Sequence, residues 1–324
     1  MFFDRIFSVT PATFNPLSLE IFKYQYENAE VYNLFCQTLK KNPGNVKTID
    51  EIPFLPIELF KTHIIKDKNT AVEKVFESSG TTGITPSRHY VASLETYERS
   101  FINCFKTFYG PLQDYVILAL LPSYLERDNS SLVYMADKLI QLTGKSESGF
   151  FLNEFTQLHK ALNQLKQAGQ KTILLGVTFA LLDFAENYAI NFPELIVMET
   201  GGMKGRREEL TRAEVHERLC PGFGVTKIHS EYGMTELLSQ AYSKGNGIFE
   251  APPWMKVLCR DVYDPLKTDI TGMSGALNVI DLANIHSCSF IATGDLVKMN
   301  LNGTFEIAGR VDNAEIRGCN LMVA

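Results

Sequence analysis

The chain reads as an α/β protein, a helix-covered sheet with a smaller β-rich subdomain after it. Three observations predict this. The runs YVILALL (115–121), TILLGV (172–177) and ELIVM (194–198) do not alternate with polar residues, and strands buried on both faces read this way. Helix-like segments fall between them. From about Leu237 the pattern changes to short strands and turns, with Asn302-Gly303 between VKMNL and TFEIAG as a hairpin signal.

Taken in order, Leu17 to Lys41 predicts a long amphipathic helix stopped by Asn42-Pro43-Gly44. Ile52 to Lys61 carries two prolines and leads into a short helix. Val75 to Glu77 ends a strand, Leu94 to Phe108 is a helix, Tyr115 to Leu121 a strand and Ser131 to Leu142 a helix. Phe155 to Gln167 and Ala180 to Ala189 are helices flanking a strand at Lys171 to Val177. A strand at Leu195 to Thr200, a helix at Arg206 to Leu219 and a strand at Lys227 to Ser230 complete the α/β part. The expected organisation is a helical N-terminal lead packed on the body (1–74), an α/β nucleotide-binding body (75–236) and a β-rich subdomain with a C-terminal arm (237–324).

Composition narrows the function. At 324 residues, 45% hydrophobic and 21% charged, the chain has ordinary globular content and enough length for a large core. A net charge of −6 leaves no footprint for nucleic acid, and the densest basic run, Lys204 to Arg207, is followed at once by Glu208 and Glu209. The start, MFFDRIFSVT, has charges inside its apolar run and is not a signal peptide; Ile173 to Ala185, the longest apolar stretch, is too short and polar to span a bilayer. Six cysteines without CxxC spacing argue against structural zinc and for thiols in a reducing cytoplasm.

Three segments can carry chemistry. In FESSGTTGITPSRHYV (76–91), Gly80 and Gly83 permit close backbone approach and four hydroxyls surround them. Such a loop can wrap phosphate oxygens, although no Gly-Lys-Ser/Thr follows; the other reading is a hairpin or linker. In HSEYGMTE (229–236) a strand ends at a tight turn that presents Thr235 and Glu236, suited to phosphate and to Mg²⁺ respectively. The other reading is a helix N-terminus with Glu236 near its dipole. In ATGDLVKMNLNGTFEIAGRVD (292–312), Asp295 can accept from two vicinal ribose hydroxyls and Arg310 can hold the same ribose or a phosphate; otherwise they are a turn aspartate and a surface cation.

In that order, SSGTTG, YGMTE and TGD with GRVD resemble the core motifs of adenylate-forming enzymes. More narrowly, FLPIELFK (54–61), SSGTTG with SRH, LPSYLERDNSSLVYM (121–135), ETGGMKG (199–205), SEYGMTELLSQAYS (230–243), NIHSCSFIATGD (284–295) and IRGCNLMV (316–323) resemble the acyl-protein synthetases. Those proteins supply activated fatty acid to an acyl reductase in bacterial bioluminescence.

The resemblance implies the large N-terminal domain of the adenylate-forming fold without its mobile C-terminal domain and lysine. It implies ATP-dependent activation of a fatty acid as acyl-AMP, acyl transfer to a cysteine, Mg²⁺ as cofactor and a partner acyl reductase. Ser78, Ser79, Gly80, Thr81, Thr82 and Gly83 would cradle the β- and γ-phosphates. Thr235 would bond the α-phosphate and Glu236 hold the metal. Gly201 and Gly202 would receive adenine, Tyr232 beside Gly233 would line the adenine or acyl side, and Asp295 with Arg310 would take the ribose. Cys319 matches the acyl-accepting thiol. The loop departs from the superfamily in having no lysine after TTGI, so Arg88 or His89 is expected to supply that cation. An acyl-CoA or carrier-protein ligase of the phenylacetate-CoA ligase type, or a non-catalytic acyl- or nucleotide-binding subunit of a reductase complex, are the alternatives.

Overall fold

The computed structural model describes residues 2–78, 85–121, 129–201, 210–268 and 274–310. Its N-terminal lead holds α1 (Phe3–Phe7), α2 (Pro11–Asn28), α3 (Glu30–Thr38), β1 (Leu55–Pro56) and α4 (Leu59–Thr62). A hairpin of β2 (Lys74–Glu77) and β3 (Arg88–Val91) precedes α5 (Leu94–Tyr109). Then come β4 (Val116–Leu120), α6 (Ser131–Thr143), β5 (Gly149–Phe151), α7 (Phe155–Gln167), β6 (Thr172–Val177), α8 (Thr178–Asn187), β7 (Ile196–Thr200), α9 (Arg212–Phe223) and β8 (His229–Tyr232). The remainder is β9 (Ala241–Ser243), β10 (Ile248–Glu250), β11 (Met255–Arg260), β12 (Ser274–Asp281), β13 (Phe290–Met299) and β14 (Phe305–Arg310).

The predicted apolar runs form the centre. Strands β4 and β6 are buried at every position, and β5, β4, β6, β7 and β8 pair in parallel. This is the sheet that continuous apolar strands require, since helices must cover both faces. Helix α5 shows how: Tyr97, Phe101, Cys104 and Phe105 bury one stripe, and Ser93 caps it by accepting from the Thr96 amide at 3.1 Å.

At β8 the pairing turns antiparallel and continues through β9, β10, β14, β13, β12 and β11. The sheet is therefore hydrogen-bonded across residue 236, and the expected subdomain boundary falls where parallel pairing gives way to antiparallel. The N-terminal lead packs chiefly against the β-rich part. Strand β1 runs parallel beside β13, Tyr32 stacks on Phe290 at 6.0 Å, and Gln25 donates to the carbonyl of Ile285 at 2.8 Å.

Two helices differ from expectation. The long N-terminal helix is two helices, broken at Ala29, which takes an extended conformation. The break lets Tyr32 turn back onto Phe22 at 6.2 Å while Asn33 donates to the Tyr26 carbonyl. It also starts earlier, because Thr10 and Thr13 form a reciprocal cap with Pro11 in the first turn. Helix α9 starts at Arg212, where Thr211 and Glu214 form a capping box. The stretch 206–209, where the helix was expected to begin, lies outside the described residues.

Candidate active site

The carboxyl ends of β7 and β8 face the crevice in which open α/β sheets bind ligands. Tyr232, last in β8, is buried, and its hydroxyl donates to Asp295 Oδ2 at 2.7 Å. Asp295 lies opposite Arg310 in the β13–β14 ladder, with Arg310 Nε 3.6 Å from Oδ1. A register shift between Leu296 and Val297 sets that pairing. Burial raises the Asp295 pKa, with the Tyr232 hydroxyl and Arg310 opposing it. The Arg310 side chain is 81% exposed, so the pair presents a carboxylate at the base of a crevice and a guanidinium at its lip.

After Tyr232 the chain makes a turn that other elements hold by its backbone. Gly233 begins it, and a Cβ there would lie 2.4 Å from Glu231 Oε1, so a side chain would require the Glu231 carboxyl to shift. His89 Nδ1 is 2.8 Å from the Thr235 carbonyl, and Asn284 Nδ2 donates to the Glu236 carbonyl at 2.7 Å. Asp281, fully buried, accepts from the Leu238 and Ser239 amides at 2.8 and 2.9 Å and from the Ser239 hydroxyl at 2.6 Å. With its backbone bound, the turn leaves side chains for chemistry. The Thr235 hydroxyl has no partner among the described residues. Glu236 is buried, which raises its pKa, while the Ser87 hydroxyl and the charges of Lys61 and Arg310 pull it down.

The phosphate-loop motif leaves β2 at Ser78. There the Ser78 hydroxyl accepts from the Ser87 amide at 2.9 Å, and the Ser78 amide donates to the Ser87 carbonyl at 3.0 Å. These bonds close the neck of the loop and bring Ser87 to Glu236. Ser79, Gly80, Thr81, Thr82 and Gly83 lie outside the described residues, as do Gly202 and Cys319. Gly201 follows β7 with φ of +71°, and its carbonyl accepts from Thr178 Oγ1 at 3.0 Å.

The two expected cations sit differently. Arg88 donates from Nε to Glu77 at 3.0 Å, directly across the hairpin, and its side chain is 53% exposed. His89 is buried, with Nε2 3.0 Å from Asn284 Oδ1 and its ring edge-on to Phe60. Burial drives its pKa down to about 4, outweighing the bonds to Thr235 and Asn284. It is neutral at pH 7, and its place is to tie β3 to the Thr235–Glu236 turn.

Sequence reasoning missed a carboxylate pair beside the turn. Glu199 is buried and accepts from Arg212 Nε at 3.1 Å; burial pushes its pKa up, but His216, Arg212 and Ser230 together leave it lowered. Glu231, bonded by the Thr200 hydroxyl, is raised to about 7 by burial and by the charge of Glu199. Glu199 shares its sheet face with Ser230 and Glu231 shares the other with Thr200, so the two carboxyls influence one another through charge alone. Their signal was the parallel register of β7 and β8, which sets Glu199 opposite Ser230 and Thr200 opposite Glu231.

Among solved structures, the chain is similar to 2-hydroxyisobutyryl-CoA ligase in complex with 2-HIB-AMP and CoA, with a TM-score of 0.64 at 13% identity over 92% of this chain and 69% of that one. It is also similar to ATP-bound MatB from Rhodopseudomonas palustris, with a TM-score of 0.57 at 18% identity. That match covers 74% of this chain, which spans about half (48%) of MatB. The likeness gives the fold of adenylate-forming ligases, as the ordered motifs implied. Among curated proteins, the long-chain-fatty-acid–luciferin-component ligases of Vibrio harveyi and Aliivibrio fischeri are each 25% identical over 94% of the chain, covering 85% and 86% of their lengths. The profile described as Acyl-protein synthetase, LuxE, matches residues 10–324. The chain belongs to the acyl-protein synthetase family.

Proposed function

We propose that this protein activates a long-chain fatty acid with ATP as acyl-AMP and passes the acyl group to the Cys319 thiol for delivery to a partner acyl reductase. The observation that carries this reading is the convergence of three elements at the ends of β7 and β8: the closed neck of the SSGTTG loop, the backbone-held Thr235–Glu236 turn, and the Tyr232–Asp295–Arg310 array. The names of the relatives support the choice of acid and of a protein partner.

A carboxylate oxygen of the acid attacks the α-phosphorus; the new bond is C–O–P, and the α–β bridging P–O bond breaks with its electrons leaving on pyrophosphate. The difficulty is anionic crowding, which fixed donors and cations relieve by positioning and charge stabilisation. Asp295 accepts from ribose hydroxyls with Arg310 beside it, and Gly201 stands where adenine would lie. The Thr235 hydroxyl donates to the α-phosphate. Glu236 would hold Mg²⁺, which would offset the phosphate charge that the carboxylate must approach. A single buried carboxylate suits that ion, which takes one or two carboxylates plus phosphates rather than a protein cage. In the second step the Cys319 thiolate attacks the acyl carbon, a thioester forms, and AMP leaves with the C–O electrons. Cys36, Cys104, Cys259 and Cys288 are buried with raised pKa values and make poor nucleophiles, which also favours Cys319.

The test is exchange of labelled pyrophosphate into ATP with a panel of fatty and aromatic acids. Exchange that depends on a long-chain acid is expected; none with any acid, with or without an acyl reductase, overturns adenylation. Cys319→Ser is expected to keep exchange and lose a hydroxylamine-labile acyl mass on the protein. Acyl transfer to coenzyme A at wild-type rate by that variant overturns the covalent step.

A further inference from the structure

We propose that Lys61, in the segment FLPIELFK, supplies the cation that the phosphate loop of this chain lacks, holding ATP phosphate against the turn that carries Thr235 and Glu236. This rests on the adenylating reading and names the group that completes its site.

The segment is built to deliver one side chain to that turn. Leu55 and Pro56 pair with Ile291 and Ala292, and the Ile57 amide donates to the Ala292 carbonyl at 3.0 Å. The segment thus runs alongside β13, which carries Asp295 three residues beyond Ala292. The chain then enters α4, where Phe60 is buried and packs edge-on against the His89 ring at 5.9 Å. His89 is itself bonded to the Thr235 carbonyl. Phe60 is therefore anchored one residue-layer from the turn, and Lys61, next in sequence, stays exposed. A fixed stem with a solvated ammonium is how a lysine serves a phosphate as a point charge.

Among the described residues, the other cations considered for that role are committed. Arg88 is paired with Glu77, Arg310 lies against Asp295, and His89 is neutral. Lys61 makes no hydrogen bond or ion pair through its ammonium among the described residues. A solvated cation on a stem anchored beside the Thr235–Glu236 turn, with no partner of its own among the described residues, is available to polyphosphate there.

Lys61→Met and Lys61→Arg test this by pyrophosphate exchange, by titration with a fluorescent ATP analogue and by thermal melting. Lys61→Met is expected to lower the exchange kcat about 10²-fold, the usual cost of losing one group aimed at developing charge. It should weaken the analogue about tenfold, as for a charge-assisted bond, with the melting temperature unmoved. Lys61→Arg keeps the charge and should recover most of the affinity, which a purely structural role would not predict. Exchange and analogue affinity of Lys61→Met within about twofold of wild type overturn the proposal. So does an Arg88→Gln variant that shows the full loss while Lys61→Met does not. Should wild type show no acid-dependent exchange, the adenylating reading fails, and the analogue titration alone decides Lys61.

Discussion

Glu231 occupies a buried position beside Phe105, Met198 and Tyr242, with Glu199 ionised on the neighbouring strand. Its folded pKa of about 7 lies above the ordinary 4.5. Between those values the native state binds a proton that the unfolded chain has lost, so the stabilisation is present at low pH and disappears as pH rises through 7. Relative to wild type, Glu231→Gln should gain roughly 2–3 kcal/mol of stability between pH 5 and pH 8, from about 1.4 kcal/mol per pH unit over that window. Urea unfolding at both pH values checks this, and a pH-independent difference would place the titration elsewhere. Tyr232, Thr235, Glu236 and Asp295 were legible as candidate site residues because their motifs are ordered along the chain. Glu231 stood in the same motif but was not: its burial depends on the strand alternation that sends it to the face opposite Tyr232, and on a carboxylate 32 residues earlier. Lys61 was unreadable for a similar reason, since its neighbour's ring contact joins segments far apart in sequence.

The turn from Gly233 to Gln240 has its backbone bonds distributed over β3, α5, β12 and the segment at Asn284. Asp281 at the end of β12 is the densest of these, and also accepts from the Ala283 amide at 3.1 Å. The Ser239 hydroxyl it binds is in turn 3.0 Å from Trp254 Nε1. Asp281→Ala would leave these donors buried and unpaired, so a loss of about 3–5 kcal/mol is expected in chemical denaturation. Exchange activity should fall with it, even where the protein is still folded, because the Thr235 and Glu236 side chains lose their footing. A neutral effect on both would show that the turn is held without Asp281. The elements themselves were read well where apolar runs are long, as in β4, β6 and α5. The break at Ala29 was not, because no glycine or proline marks it; tertiary packing of Tyr32 pays for the interrupted helix.

Across the whole molecule, the order of parts was legible but their embrace was not. The N-terminal lead reaches past the α/β body to the β-rich strands: Phe7 meets Trp254 at 5.2 Å, Gln25 bonds the segment at Asn284 and Ser289, and Thr268 donates to the Asp50 carbonyl. Contacts between residues more than two hundred positions apart leave no local trace in a sequence. They make Asn284 a junction, bonded at its carbonyl by Gln25 and by its side chain to His89 and Glu236.

The ladder partner Arg310 fixes one further quantity. Cys319 lies nine positions beyond it, so the thiol is leashed within about 30 Å of the Asp295–Arg310 pair. In the proposed transfer, acylation is then first order in enzyme, independent of dilution. An equimolar mixture of Cys319→Ser, which adenylates without an acceptor, and Lys61→Met, which keeps the acceptor, should label the second chain no faster than it labels itself. Faster labelling on mixing would mean that acyl-AMP leaves one molecule before another is acylated, and the leash would then set no kinetic order.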